Sequence, residues 1–242
     1  MLSRTLHPWR VSYRQAVCIQ DTLRQRLVTE SLPARPRLVA GADVGYSRRT
    51  HRVYAAVVVV AVPSFETVET VGVARHATFP YIPGLLSFRE IPPLLKAFER
   101  LTQVPDVLVF DGQGLAHPSR FGLACHAGLL LDVPSIGCAK TRLVGEYQPV
   151  SIHRGALSPL MLDGHRVGTV VRTRAGVRPV FVSPGHRADV RSAVDLVLAL
   201  TTRYRLPEPQ RRAHQATVAL YQRDRGRQAP RARPYPGFIS RR

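Results

Sequence analysis

Apolar positions recur along this chain with two different periods. Ala16, Ile19, Leu23 and Leu27 are spaced as one face of a helix, so the first 30 residues contain a helix that packs on something else. Pro33 and Pro36 then break the chain. Three extended stretches follow, Leu38–Tyr46, Val53–Val62 and Thr67–Phe79, joined by connections short enough for an antiparallel meander. The middle stretch is nearly all Val and Ala, the composition of a strand covered on both faces. Pro80-Tyr81-Ile82-Pro83-Gly84 is a rigid turn. A helix is expected over Ile91–Leu101, with Pro92 and Pro93 in its first turn, where a missing N–H is tolerated. Val107–Phe110 and Ser135–Ala139 read as short buried strands on either side of a helix over Pro118–Leu131, with Gly128 near its end. That alternation implies parallel crossovers. Val167–Thr173 and Pro179–Val182 read as a hairpin, and Arg187–Tyr204 and Glu208–Tyr221 as two closing helices. The pattern predicts an α/β fold: a central mixed sheet, three antiparallel strands then parallel ones, flanked by helices. It spans residues 1–222 as one domain, and Arg, Pro and Gly dominate a basic tail, 223–242, read as disordered.

Three carboxylates stand out against this pattern. Asp43 interrupts the apolar run 38–46, Asp111 ends the run Val107–Phe110, and Glu90 lies between them in Leu86-Ser87-Phe88-Arg89-Glu90. A carboxylate buried in a strand is costly unless a cation or hydrogen bonds compensate it. Two strand-borne Asp and a Glu converging on one point make an oxygen-rich site for a hard divalent cation. Each Asp alone also fits a structural role, a buried acceptor or a helix cap. If the first and fourth strands are neighbours, the two Asp meet at the sheet centre, the layout of a ribonuclease H-like fold.

Charge gives that metal a context. The 242 residues carry 35 Lys plus Arg against 16 Asp plus Glu, a net charge of +19, a field that attracts polyanions. The three cysteines, Cys18, Cys125 and Cys138, show no metal-type pairing and point to buried thiols in a reducing cytoplasm rather than to disulfides or zinc. No signal peptide and no membrane span are expected, and the protein is read as a cytoplasmic monomer.

Smaller motifs are individually weaker. In Pro80–Pro83, Tyr81 and Ile82 are held between two prolines, either as a stiff loop tucked into the core or as an apolar wedge for a base stack. Lys140 ends the strand Ser135–Ala139, and Lys96 is the only other lysine. A compact ammonium there could neutralise a phosphate or a leaving oxygen. His117 precedes the Pro118 helix, and His214 lies in the last one; lone histidines are usually structural.

Together, in this order, Ala40-Gly41-Ala42-Asp43-Val44, Pro80–Gly84, Leu86–Glu90, Asp111-Gly112-Gln113-Gly114, His117-Pro118, Pro134–Gly137 and Ala139-Lys140 resemble endonuclease V, the deoxyinosine-specific nuclease. The resemblance runs from about Leu38 to His214. It implies a ribonuclease H-like fold and a DNA-repair hydrolase that cuts the second phosphodiester 3′ to deoxyinosine. By the resemblance, Asp43, Glu90 and Asp111 bind Mg2+, for which Mn2+ could substitute, and His214 joins the site. Tyr81, Ile82 and Pro83 form the strand-separating wedge. Gly112 and Gly137 line the pocket for the extruded base beside His117, and Lys140 acts on the scissile phosphate. The partner implied is inosine-containing DNA, possibly RNA. An inosine-specific endoribonuclease and a non-catalytic binder of deaminated nucleic acid are the alternatives.

Overall fold

The computed structural model describes residue 1 and residues 3–228. Helix α1 (Tyr13–Arg24) starts where Ser12 and Gln15 form a reciprocal capping box, which satisfies two otherwise orphaned amides. Strands β1 (Leu38–Ser47), β2 (Arg52–Ala61) and β3 (Thr67–His76) form the antiparallel meander. Helix α2 (Leu86–Phe98) follows, then β4 (Val107–Phe110), α3 (Leu123–Leu131) and β5 (Ser135–Ala139), with β4 parallel to both β1 and β5. The chain continues through β6 (Leu157–Leu162), β7 (His165–Val171) and β8 (Val180–Pro184). It ends in α4 (Val190–Leu200) and α5 (Glu208–Gln228). The eight described strands lie in the order β3-β2-β1-β4-β5-β8-β7-β6, so β1 and β4 are central neighbours as the acids required.

Alternation along the strands sorts the core into two layers. Val39, Val58, Val107 and Val109 pack with residues of α4 and Ala213 of α5. Ala40, Val57, Leu108 and Phe110 pack on the other side, with Ile91 and Phe98 of α2 and Leu130 of α3. Gly41 sets how close α5 can come: a Cβ there would lie 2.1 Å from the Pro209 backbone. The start of α5 therefore rests on β1, two residues from Asp43.

Several boundaries differ from the sequence expectation. Helix α2 begins at Leu86, five residues early, so Pro92 and Pro93 sit in its interior. Burial of Phe88, Ile91, Leu94 and Phe98 offsets the two missing amides. Helix α3 begins at Leu123 rather than Pro118. Arg120 takes a left-handed conformation, φ 51°, and the Gly122 amide donates to the Gly114 carbonyl, so the segment after His117 turns before the helix can start. Strand β6 was not anticipated; it is an edge strand containing Pro159, with alternation over only six residues. Cys18 is exposed, unlike the buried Cys125 and Cys138, and all three are free. Helix α5 continues six residues past 222, and residues 229–242, most of the expected tail, lie outside the described residues. No described helix is long and apolar enough to cross a membrane.

Candidate metal and nucleic-acid site

Parallel pairing of Ala42 with Phe110 leaves Asp43 and Asp111 as the next residues of neighbouring strands, and the Asp111 amide donates to the Ala42 carbonyl at 3.1 Å. From α5, His214 reaches down with Nδ1 3.4 Å from Asp43 Oδ2. One ligating atom from each of Asp43, Asp111 and His214 lies within 4.8 Å of the others. The Lys140 ammonium donates to Asp111 Oδ2 at 2.5 Å. Arg205 braces that corner by donating to the Lys140 and Pro179 carbonyls at 2.6 and 2.7 Å.

Glu90 approaches from α2. It stands outside the close trio but inside its field. Burial, then Asp43 and Asp111, push its carboxyl up to about 8, against the opposing pull of Arg89. Burial and Asp111 likewise raise Asp43, whereas a hydrogen bond from Thr217 and the charge of His214 lower it. Two carboxyls raised beside the charge of Asp111 form with it a site in need of a cation. Carboxylate oxygens with one imidazole suit magnesium or manganese rather than a thiolate-bound metal. The donor set thus fits the ion that the resemblance implies.

Three recesses meet at these acids. One, about 310 Å3, runs from Asp43, Asp111, Lys140 and His214 to Tyr54 and Tyr221. A second, about 360 Å3, has Glu90, Asp111, Gly112, His117 and Lys140 in its wall. The third, about 390 Å3, is bounded by Tyr46, Arg48, Tyr81, Leu86, Arg89 and Glu90. Tyr81 is 68% exposed and Pro83 is exposed, while Ile82 is half-buried against the Phe79–Phe88 cluster. The Pro80–Pro83 turn therefore presents its tyrosine and anchors its isoleucine. His117 is buried and donates to or accepts from Ser119 Oγ at 2.9 Å; burial lowers its pKa to about 4, so it is neutral at pH 7. Gly112 borders the second recess. Gly137, expected in the same wall, is buried beneath it: a Cβ there would meet the Gly112 carbonyl at 2.5 Å. Its lack of a side chain lets the turn 112–114 pack on β5.

Sequence reasoning missed several neighbours. Thr217 donates to the Asp43 carbonyl at 3.3 Å, and its place three residues after His214 on α5 was a usable signal. The Arg89 guanidinium lies 3.6 Å from the centroid of the Tyr46 ring, and Ser183 accepts from the Gly114 amide at 2.7 Å. These pairings span distant segments and carry no local spacing.

Comparison with known proteins agrees with this geometry. The endonuclease V family profile matches residues 21–215. Endonuclease V of Alkalilimnicola ehrlichii is 50% identical over 219 residues, 89% of this chain and 96% of its own. The crystal structure of the Streptomyces avermitilis endonuclease V superposes with a TM-score of 0.86 at 39% identity, covering 93% of this chain and 100% of that one. Ciona intestinalis endonuclease V, solved with a 24mer DNA containing an inosine followed by a ribo-adenosine, shares the fold at 24% identity and a TM-score of 0.78, over 87% of this chain and 98% of that one.

Proposed function

This chain belongs to the endonuclease V family, and from that premise we propose that it recognises deoxyinosine, deaminated adenine, in DNA and hydrolyses the second phosphodiester bond 3′ to it. Family and carboxylate cluster together make it a metal-dependent endonuclease. Its substrate, its ion and the division of labour among side chains are our reading.

The observation that supports it is a base-sized recess sharing Asp111 and Lys140 with the cleft of the metal acids. A base lodged beside His117 and Gly112 keeps its own strand within reach of Asp43 and Asp111. Extruding a base requires separating it from its stack, and the exposed Tyr81, in the adjoining recess that shares Leu86 and Glu90, supplies an aromatic face for that. Neutral His117 reads the base by hydrogen bonding rather than by charge, and bare Gly112 permits close approach.

In the reaction, water attacks the phosphorus, the P–O3′ bond breaks, and the 3′ oxygen leaves with a proton, giving 3′-hydroxyl and 5′-phosphate ends. A bound magnesium ion, with manganese as a substitute, supplies positive charge against the phosphate. Asp43, Asp111 and Glu90 would hold it, joined by His214. Lys140, fixed by Asp111, places a compact positive charge near the departing oxygen.

The test is cleavage of paired DNA and RNA duplexes, each bearing one inosine, with magnesium or chelator. Magnesium-dependent nicking of the inosine DNA, one nucleotide beyond the base on its 3′ side, is expected. Cleavage of RNA alone would replace the substrate, and binding without cleavage of either would leave only a binder.

A further inference from the structure

The cleft of the metal acids does not end at the acids. It runs to Tyr54 and Tyr221, whose rings meet edge-on with centroids 5.4 Å apart. Just beyond, Asp224 of α5 is gripped by β2: Arg52 Nη1 donates to one carboxylate oxygen at 3.0 Å and the Tyr54 hydroxyl to the other at 2.5 Å. That clamp seats the C-terminal part of α5 on the end of the sheet, beside the turn that joins β1 to β2. Arg48 and Arg49 project from that turn, and Arg223 and Arg225 flank Asp224 on α5; all four are exposed. The Arg225 guanidinium lies 5.7 Å from the Tyr221 ring centroid, and Arg48 also borders the recess that holds Tyr81.

We propose that Arg48, Arg49, Arg223 and Arg225 form a phosphate-binding ridge that holds the backbone of the duplex beyond the cleaved bond. The occupant follows from continuity and charge, since a strand leaving the cleft past Tyr54 and Tyr221 must cross these four cations. The inference rests on the nuclease reading for the position of the cleaved bond. Arg48 stands five steps along the chain from Asp43, just past the end of β1, about 16 Å at strand rise. Phosphates of one strand advance about 3.4 Å per base pair along the duplex, so the ridge meets them about five base pairs from the cut.

The experiment measures duplex affinity against salt, with chelator present, for inosine-bearing and unmodified DNA. The variants are Arg48→Gln/Arg49→Gln and Arg223→Gln/Arg225→Gln, with Arg100→Gln/Arg174→Gln as a charge-matched pair of exposed arginines elsewhere. Each ridge pair should flatten the plot of log affinity against log salt by about two units, close to one per lost contact. Both DNAs should show it, and the control pair should leave the slope unchanged. Shortening the duplex to about three base pairs on one side of the cut should lower wild-type affinity to that of the ridge variants and make the substitutions silent. Equal slopes for ridge and control pairs, or ridge effects that persist on the shortened duplex, would overturn the ridge. Loss on plain duplex with no inosine preference in any protein would instead sustain the ridge and remove the substrate reading.

Discussion

Helix α2 carries Ser87 into one cluster of buried titratable groups and Glu90 into another, and the two are built in opposite ways. In the first, His7 Nδ1 donates to the Pro8 carbonyl at 2.8 Å, His7 Nε2 lies 2.8 Å from His126 Nε2, and His126 Nδ1 lies 3.1 Å from Ser87 Oγ. With both rings neutral, His126 donates to His7 and accepts from Ser87, so each ring nitrogen has a partner. Trp9 stacks on His126, and Phe88 and Phe121 close around it. Burial lowers both histidines, which keeps the cluster uncharged. The second cluster concentrates like charge. Asp111 raises Asp43, and both raise Glu90, with Lys140 and His214 as partial compensation. A buried polar group that closes on itself secures the fold, here by tying the N-terminal segment to α3. One left electrostatically unbalanced beside open clefts is held ready for something that arrives.

The largest expected effect breaks the second cluster alone. Asp111→Ala should lower single-turnover cleavage of an inosine duplex by at least about 100-fold, ~2.7 kcal/mol in barrier. Without metal its melting temperature should stay level or rise, because removing one acid relieves the other two. Cleavage within tenfold of wild type would mean that Asp111 is a structural acid like any buried acceptor.

The mirror experiment breaks the first cluster. His126→Ala removes a fully buried ring and leaves His7 without its partner, a cost of about 2–4 kcal/mol. At about 2–4 °C per kcal/mol for a chain of this size, thermal scans should show a large drop in melting temperature. Cleavage well below the new midpoint should hold. If activity fell while stability did not, the two clusters would be coupled through α2 and the division between them would fail.

Lys140→Arg tests how finely the second cluster is set. Arginine keeps the charge, but its planar, longer head cannot put a compact ammonium 2.5 Å from Asp111 and near the leaving oxygen. A fall of about tenfold in the single-turnover rate, ~1.4 kcal/mol, is expected with duplex affinity retained. An unchanged rate would reduce Lys140 to a generic positive charge.

The same comparison explains what was legible in the chain. Asp43 and Asp111 could be read because each breaks or ends an apolar run, and the strands around them have the composition of a covered sheet. Glu90 was picked out with the two Asp, but its element was misplaced, since Pro92 and Pro93 look like a helix start and hid the fact that it rides the second turn of α2. The His7–His126 pair was invisible: 119 residues separate its members, and nothing local marks either. Gly137 was expected from the resemblance to line the base pocket, and nothing in its own stretch of sequence shows that the turn 112–114 packs directly on it.

The subtlest expectation concerns pH, where the clusters pull in opposite directions. Folding raises Glu90 from its ordinary 4.5 to about 8 and raises Asp43 as well, so in the metal-free protein the folded state holds more protons than the unfolded one across that window. Stability from these groups is full below about pH 4.5 and is lost as pH rises toward 8. The histidines run the other way. His7 and His126 are lowered from 6.5, so their contribution is full above pH 6.5 and is lost as pH falls below it. Metal-free wild type should therefore be most stable at intermediate pH, with an alkaline decline due to the acids and an acid decline due to the histidines. Glu90→Gln, neutral at every pH, should flatten the alkaline decline and leave the acid one. Saturating magnesium should do the same in wild type, because the ion stabilises the charged acids. Melting temperatures from pH 5 to pH 9, with chelator and with magnesium, resolve both limbs. An alkaline limb unchanged by Glu90→Gln and by magnesium alike would show that the three acids are not the groups in need of a cation.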